Sequence, residues 1–497
     1  MRSQVTFGVN NILLFAILLF FVNIAFSINT TEEETAQDEI ITSTIPPVKI
    51  VKTSGCNLII DSQKDANNIL LKTDLKSSNW FSGVFYYIDT ENVTNFVLNM
   101  GMTDRNVQDN VVKWDGLFPV YSYTPYNSYD TYIYYTKNDD GVWLSSDPFL
   151  SVEERYAGKE KAPKQYALSD RLAVEFLSED GKYWSAWKDI HKTEISVGNN
   201  FHIEQKFNYF DVSLAMKYPY PYNYEQEYMT KLSEANIPGV TVHNIGRSNS
   251  DKHNLYIVEV NDPTATAEEL KERRVVLMYA NEDGNEPDSS WVVNGAINFL
   301  VSGSDEAKKI LKETTFLFIP LFDPIGWEES TYGALTYDFA NIALKDVNRT
   351  EVLSYIGFIN DWVDNRKMRL DLIMNLHNIE CNEGPNIMSP FIDTENATDI
   401  FAFNKFFMPK LKDVDTSYAI WIEGYSTARF MGWCSKNFGS IPVLYEINSR
   451  HPKNRLSLKD LNDLGISFVE TLREYFMSEE YEKALLKIDY VRTKLNR

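Results

Sequence analysis

The pattern of apolar and polar positions changes once along the chain, near residue 217, and the change predicts two folded parts. Between residues 51 and 217, short aromatic or β-branched runs alternate with turn-forming clusters, and no long helical period appears. Strands joined by tight turns produce this pattern, so we predict an all-β sandwich over residues 51–217. Its aromatic side chains fill a core in the simpler interpretation and form a carbohydrate-binding face in the alternative. The predicted strands are Trp80–Ile88, Asn95–Met100, Val120–Tyr123, Thr131–Tyr135, Leu172–Leu177, Phe201–Phe207 and Val212–Met216.

After a stiff Tyr218-Pro219-Tyr220-Pro221-Tyr222 boundary, apolar runs alternate with amphipathic segments. We predict strands at Thr241–Ile245, Asn254–Val260, Val275–Tyr279, Thr315–Leu321, Leu370–Leu376 and Val443–Ile447. We predict helices at Asn223–Ser233, Trp291–Val301, Glu306–Lys312, Val352–Asn365, Ile400–Leu411 and Leu458–Phe476. Strand–helix alternation of this kind is typical of an α/β domain, so residues 218–497 are predicted to form a mixed, mostly parallel sheet flanked by helices. We expect the last of these helices to pack on the sheet.

The first 50 residues have the pattern of a targeting segment and a leader. Arg2 precedes an apolar run from Ile12 to Phe26, and Ala25-Phe26-Ser27 fits a small-x-small cleavage site. A membrane anchor is the alternative, but the apolar core is shorter than the roughly 20 residues that a span needs. We therefore predict a signal peptide at residues 1–27, a disordered acidic leader at 28–50, and a secreted protein with no stable membrane span after cleavage.

Secretion changes what the remaining composition implies. Sequons for N-glycosylation occur at Asn29, Asn92, Asn348 and Asn396, so we expect a glycoprotein. The three cysteines, Cys56, Cys381 and Cys434, allow at most one bridge and exclude a disulfide scaffold.

The chain length and charge limit the organisation and the partners. A chain of 497 residues exceeds one ordinary core and predicts two domains. The formal charge of −22 argues against nucleic acid, because a phosphate partner needs a basic face. We expect a monomer.

Four clusters of candidate catalytic residues lie at the ends of predicted strands. An α/β sheet brings such strand ends together at one crevice. The clusters provide carboxylates and a histidine for a metal, an arginine for an anion and a glutamate for proton transfer, the set used in metal-assisted hydrolysis. They are Asp283-Gly284-Asn285-Glu286, Asp346-Val347-Asn348-Arg349, Asn375-Leu376-His377-Asn378 and Tyr445-Glu446.

These motifs resemble those of the M14-type zinc carboxypeptidases, most closely the cytosolic carboxypeptidase branch. They resemble the aspartoacylase-like amidohydrolases to a smaller extent. The family's His-x-x-Glu loop leading to Ser-Trp is similar to residues Asp283–Trp291, and its Asn-Pro-Asp-Gly segment looks like Asp323–Gly326. The Asp-x-Asn-Arg motif is intact at Asp346–Arg349. The second metal histidine and the catalytic glutamate look like His377 and Glu446. The branch also has a β-sandwich ahead of a Tyr-Pro-Tyr element, so the resemblance covers almost all of the mature chain.

The resemblance implies a metal-activated water. Asp283, Glu286 and His377 would be the three protein ligands of one Zn²⁺ ion, or of another divalent metal. Glu446 would be the general base that accepts the proton of the water and returns it to the leaving amine.

It also implies how the substrate is held. Arg349 and Asn348 would bind the terminal carboxylate of a peptide or protein by charge-assisted hydrogen bonds, and Tyr425 corresponds to a transition-state donor of the pancreatic branch. The expected activity is that of a secreted metallocarboxypeptidase. Because Asn348 is also a sequon, its expected place in the crevice predicts that it carries no glycan.

Two positions depart from the family pattern. Asp283 replaces the first metal histidine, which makes the ligand set harder and more negative, so the bound water should be less acidic and zinc less strongly preferred. The carbonyl-polarising arginine is also missing, since only Lys345 is basic between residues 325 and 346, and Arg429 and Arg450 are the candidates to replace it.

Other interpretations of the same residues stay open. Taken singly, Asp283 and Glu286 are acids that favour a helix N-terminus, and Glu446 is a strand residue facing solvent. A pseudo-peptidase that binds peptide C-termini without efficient catalysis is the rival from another class, and a metal-dependent amidohydrolase acting on acyl-amino acids is the third.

Overall fold

The computed structural model describes residues 217–284, 286–329, 349–378, 429–451 and 454–494, with residues 402–403 and 405–411 and short strands in 49–215, 386–389 and 416–417. The predicted signal peptide and the leader up to residue 48 lie outside this part. Within it, no helix is both long enough and apolar enough to cross a membrane.

The described residues between 49 and 215 all belong to strands, and their pairing is mainly antiparallel. They form three sheets of order β1-β4-β14-β6-β11, β8-β7-β10-β9 and β12-β13-β5-β3-β2, in which only β3 and β5 pair in parallel. Seven of the strands overlap the seven predicted ones; their packing as a sandwich stays a prediction. The bounds are β1 Lys49–Val51, β2 Leu58–Asp65, β3 Asn68–Thr73, β4 Ser82–Tyr86, β5 Val93–Asn99, β6 Val120–Ser122, β7 Tyr134–Lys137, β8 Trp143–Ser145, β9 Gln165–Ala167, β10 Leu172–Glu175, β11 Lys188–Asp189, β12 Lys192–Ser196, β13 Asn200–Lys206 and β14 Val212–Ala215.

An eight-stranded mixed sheet organises the second part of the chain. Its order is β15-β16-β18-β17-β19-β22-β20-β21, and the central strands β18, β17, β19 and β22 run in parallel. The bounds are β15 Val240–Arg247, β16 Asn254–Val260, β17 Arg274–Ala280, β18 Thr314–Ile319, β19 Leu372–Asn378, β20 Asn386–Ser389, β21 Thr416–Ser417 and β22 Ile441–Ile447; a separate pair is β23 Arg450–His451 with β24 Asn454–Arg455. The predicted mixed, mostly parallel sheet is confirmed.

Helices connect and cover the central strands, as the alternation predicts. They are α1 Tyr222–Glu234, α2 Ala267–Glu272, α3 Asp288–Val301, α4 Asp305–Glu313, α5 Pro324–Glu329, α6 Thr350–Asn360, α7 Phe430–Phe438, α8 Leu458–Phe476 and α9 Glu479–Lys494. Polar caps set several of their starts: Ser304 accepts the amide hydrogen of Ala307 at α4, and Ser457 forms a capping box with Asp460 at α8.

The sheet separates two apolar layers. In β17, Val276 and Met278 belong to the layer that contains α3 and α8, whereas Val275 and Leu277 belong to the layer that contains α6 and α7. All of β17 except its first residue is buried, as expected for a strand covered on both faces. The strand ends on one edge of this sheet are therefore held by packing from both sides.

Several helical segments differ from the predictions, and the short helices α2 and α5 were not predicted. The predicted helix Val352–Asn365 ends as an α-helix at Asn360 and continues as a π-helical turn, Asp361–Asn365. Helix α7 was not predicted, because its Phe-Met-Gly-Trp-Cys start lacks an obvious amphipathic period. Helix α9 also follows α8, so Leu458–Phe476 is not the last helix; its buried Tyr481, Ala484 and Ile488 lie within a mostly charged sequence.

Candidate active site

The loop after β17 brings the first acidic cluster to the edge of the sheet. Asn281 turns the chain with a φ of 59°, and the amide of Glu286 donates to the carbonyl of Asp283 at 3.0 Å. A Cβ at Gly284 would lie 2.0 Å from the carbonyl carbon of Gly326, so the loop passes directly against α5 and only glycine fits there. The loop conformation thus depends on the neighbouring helix as well as on local sequence.

Three side chains from this loop and from β19 form a candidate metal site. The ligand atoms of Asp283, Glu286 and His377 all lie within 4.8 Å of one another, and all three residues are buried. Nδ1 of His377 lies 2.8 Å from Oε2 of Glu286 and 3.4 Å from Oδ2 of Asp283. The convergence expected from the strand ends is therefore present for these residues.

The donor set fits a divalent cation. One imidazole nitrogen and two carboxylates are ligands that catalytic zinc sites use, and buried carboxylates are costly unless a cation offsets their charge. Because Asp283 is 1% exposed and Glu286 is 7% exposed, water screens neither charge effectively.

The pKa of His377 is determined by the carboxylates that surround its ring. Burial by itself lowers the pKa of His377, but the charge of Glu286 and hydrogen bonds with Asp283, Glu282 and Glu286 raise that pKa well above its usual value. The surrounding carboxylates therefore favour the protonated imidazole when no cation is bound. A metal ligand must lose that proton, so metal binding at this site releases a proton.

Glu446 lies beside His377 in the sheet. The two residues are direct partners in the parallel register of β19 and β22. Burial raises the pKa of Glu446 to about 8, while the positive charge of His377 acts in the opposite direction. The raised pKa reflects the loss of solvation of the carboxyl, and a cation bound nearby would favour its ionised form, which a general base requires.

Arg429, at the start of α7, lies next to the same histidine. Its Nη1 is 3.4 Å from Nε2 of His377 and 3.7 Å from Oε2 of Glu282, and the residue is 7% exposed. Of the two arginines considered as replacements for the missing one, Arg429 thus lies at the candidate site. The side chain of Arg450 is outside the described part.

Arg349 directly precedes α6, and its charge acts on the buried Asp323. Burial raises the pKa of Asp323 to about 7, and the charges of Arg349 and Asp283 act on it in opposite directions. Arg349 also lies 3.9 Å from the fully buried Glu351. Asn348 and Tyr425 lie outside the described residues, so their assignments stay predictions, as do the roles of the other site residues.

Sequence reasoning did not identify Glu282, and it gave no role to Asn375. Oε2 of Glu282 accepts a hydrogen bond from Nδ2 of Asn375 at 2.7 Å and lies 3.2 Å from Nε2 of His377. Glu282 directly precedes Asp283 in a polar turn, where a glutamate is ordinarily solvated, so local sequence carries no signal for it. Asn375 lies two positions before His377 on the same face of β19, which is a weak signal.

Comparison with known proteins identifies similar sequences and folds. The zinc carboxypeptidase family profile matches residues 225–353. Cytosolic carboxypeptidase 3 of Bos taurus is 23% identical over 317 residues, covering 56% of this chain and 29% of that protein. Cytosolic carboxypeptidase 2 of Danio rerio is 23% identical over 290 residues, covering 53% of this chain and 38% of that protein. The chain therefore spans well under two thirds of the length of these curated relatives.

Solved structures extend the likeness to most of the fold. A metallo-carboxypeptidase from Burkholderia cenocepacia aligns with a TM-score of 0.60 at 13% identity, covering 87% of this chain and all of that one. A metallo-carboxypeptidase from Pseudomonas aeruginosa aligns with a TM-score of 0.57 at 13% identity, covering 86% and 98% of the two chains. At this identity the likeness concerns the fold.

Proposed function

We propose, from the zinc carboxypeptidase domain that this chain carries, that the protein is a metallocarboxypeptidase that removes C-terminal residues from peptides. The observation that carries the proposal is the buried cluster of Asp283, Glu286 and His377, with Glu446 next to His377 in the sheet. A ligand set beside a general base is what metal-assisted hydrolysis requires.

In the proposed reaction, the metal site activates the water and Glu446 transfers the proton. When bound, a divalent metal lowers the pKa of the attacking water and polarises the scissile carbonyl. Glu446 accepts a proton as the water attacks the carbonyl carbon, and returns it to the amine nitrogen as the C–N bond breaks. The products are a shortened peptide carboxylate and a free amino acid, so atoms and charge balance.

Arg349 selects the end of the substrate in this proposal. A guanidinium binds a carboxylate through parallel hydrogen bonds, which favours a peptide with a free C-terminus. The charges of Arg349 and Asp283 both act on the carboxyl of Asp323. Because Asp323 is close to both residues, this supports a place for Arg349 near the metal site. Asn348 assists it, and Tyr425 donates to the developing oxyanion.

Secretion is part of the proposal. It rests on the apolar run Ile12–Phe26 and the Ala25-Phe26-Ser27 cleavage site. Expression of the full chain in a eukaryotic cell should place it in the medium, with a new N-terminus after Ser27 and a mass that falls on glycosidase treatment. Retention of the whole chain inside the cell without glycan would overturn secretion and leave the enzymatic proposal intact.

A binding protein without catalysis is the second candidate. The carboxylate at position 283 favours it, because an Asp-Glu-His set leaves bound water less acidic than a His-Glu-His set. Such a protein would keep carboxylate recognition and lack turnover.

The experiment combines metal analysis with a matched pair of peptides. Purified protein should contain one divalent metal per chain and release the terminal residue from a peptide with a free C-terminus, but not from the same peptide amidated. Glu446→Gln should keep the metal and lower kcat by roughly 10²- to 10⁴-fold. Equal hydrolysis of both peptides would exclude an exopeptidase. Metal-free protein that binds the free peptide without cleaving it would establish the binding protein instead.

A further inference from the structure

A buried carboxylate that no predicted role uses lies on the opposite edge of the metal-site histidine. Glu282 is 0% exposed, and its Oε2 lies 3.2 Å from Nε2 of His377. Nδ1, the other ring nitrogen, faces Glu286 and Asp283. His377 is therefore held between the ligand cluster on one edge and Glu282 on the other.

We infer that Glu282 is a positioning residue that orients His377 for the metal, an inference that rests on the proposed function. A histidine ligand must offer one nitrogen without a proton, and a hydrogen bond from the other nitrogen selects that tautomer and fixes the ring. When Nε2–H donates to Glu282, Nδ1 presents its lone pair towards Asp283 and Glu286.

Neighbouring groups hold the Glu282 carboxylate in place. Asn375 donates to the same oxygen, Oε2, at 2.7 Å, and Nη1 of Arg429 lies 3.7 Å from it. A buried charge persists when it is paired and hydrogen-bonded. Nη1 of Arg429 also lies 3.4 Å from Nε2 of His377, so the side chains of Arg429, His377 and Glu282 form one buried polar cluster around Oε2.

Glu282 is placed to act through His377 rather than as a ligand. Among the described residues, Asp283, Glu286 and His377 form the group whose ligand atoms lie within 4.8 Å of one another. Glu282 does not belong to that group. Its contacts are to the Nε2 edge of the ring. A carboxylate there raises the basicity of the imidazole, which offsets the weaker zinc preference that follows from aspartate at position 283.

The test measures metal affinity in variants of the full chain. Zn²⁺ and Co²⁺ are titrated against a chromophoric chelator, and the visible spectrum of the Co²⁺ form is recorded. Glu282→Gln keeps a carbonyl oxygen that can accept from Asn375 and His377 but loses the charge, and should lower affinity roughly tenfold. Glu282→Leu removes both and should lower it roughly 100-fold, with a changed Co²⁺ spectrum.

The matched control is Glu225→Gln. Glu225 in α1 is also fully buried and its pKa is raised by burial, with the Leu321 amide as its partner, so the substitution removes a buried carboxylate outside the metal cluster. Its metal affinity should equal that of the wild type. Wild-type metal binding with unchanged affinity in Glu282→Gln would overturn this inference alone. A wild type that binds neither metal would overturn the proposed function and this inference with it.

Discussion

At the scale of single residues, we expect Asp283 to set the metal preference of the proposed site. The cluster of Asp283, Glu286 and His377 is oxygen-rich, and Glu282 and Glu446 add further carboxylates around it. Hard oxygen ligands reduce the preference for zinc, whereas imidazole suits it.

Asp283→His is therefore expected to raise zinc affinity at least tenfold and to raise kcat, because the site loses one negative charge and gains a nitrogen ligand. Chelator competition and peptide-release assays measure the two effects. Asp251→His serves as a control, because Asp251 is largely exposed in the β15–β16 hairpin. Unchanged affinity and activity in Asp283→His would remove Asp283 from the metal site.

Asp323 predicts a pH dependence of stability. Its pKa is raised from 3.8 to about 7 because the carboxyl is buried, although the amide of Gly326 donates to it at 2.9 Å. The folded state binds this proton more tightly than the unfolded state, so the stabilising effect is complete below about pH 4 and is lost as the pH rises to about 7. The difference between the two pKa values corresponds to roughly 4 kcal/mol.

Asp323→Asn should therefore unfold with a flatter pH dependence between pH 4 and 8 and should be more stable than the wild type at pH 8. Urea unfolding in excess chelator measures both. Asp361→Asn is the contrasting control, because hydrogen bonds from Asn365 and Arg366 lower the pKa of the exposed Asp361, so its small stabilising effect is lost as the pH falls. A parallel pH profile for wild type and Asp323→Asn would contradict the raised pKa.

At the scale of elements, helix α3 links the acidic loop to the sheet. It begins at Asp288, directly after the loop, and the side chain of Asp288 accepts from the Tyr218 amide and from the Ser449 hydroxyl. The Ser289 amide donates to the side chain of Asn378, at the end of β19. The helix N-terminus thus ties the boundary segment, the loop and two strand ends together.

The crossing of α3 and α8 depends on glycine. A Cβ at Gly465 would lie 2.0 Å from the carbonyl oxygen of Val292, which is a backbone atom that cannot rotate away. Gly465→Ala should therefore separate the helices, lower the free energy of unfolding by about 1–3 kcal/mol and weaken metal binding through α3. Urea unfolding and chelator competition measure these effects.

Gly357→Ala is the matched control within α6. A Cβ there meets nothing within 4 Å, so alanine should stabilise the helix by roughly 0.5–1 kcal/mol. Equal stabilities of the two variants would show that the α3–α8 crossing tolerates a side chain at position 465.

At the scale of the whole molecule, a metal would join parts of the chain that are distant in sequence. Asp283 and Glu286 follow β17, and His377 lies in β19, with β18, α5 and α6 in between along the chain. A ligand that binds only the folded state stabilises it by about 2.7 kcal/mol at 100 times its Kd. Zinc should therefore raise Tm and chelator should lower it.

Differential scanning calorimetry of wild type and His377→Asn measures this linkage. The Tm of the wild type should shift with metal, and that of the variant, which lacks the proposed histidine ligand, should shift much less. The same shift in both proteins would place the stabilising metal elsewhere in the molecule.

The sequence by itself determined the central strands, the main helices between them, and the acidic, histidine and glutamate motifs. The predicted strand Asn254–Val260 and the helix Leu458–Phe476 match the structure residue for residue, because their apolar periodicity and caps are local properties. Strands β17, β19 and β22 overlap the predicted strands within two residues at each end, and their parallel pairing brings Asp283, Glu286 and His377 into one cluster as predicted.

Only the tertiary structure decided which polar neighbours control that cluster. Glu282 is 95 positions from His377, and its contact depends on the register of β17 against β19 and on a turn at Asn281 packed against α5. Arg429 reaches the same carboxylate from α7, a helix that the sequence pattern did not predict. Burial and distant contacts, rather than local pattern, thus make Glu282 a buried partner of His377, because the solvation of a charged side chain depends on everything that surrounds it.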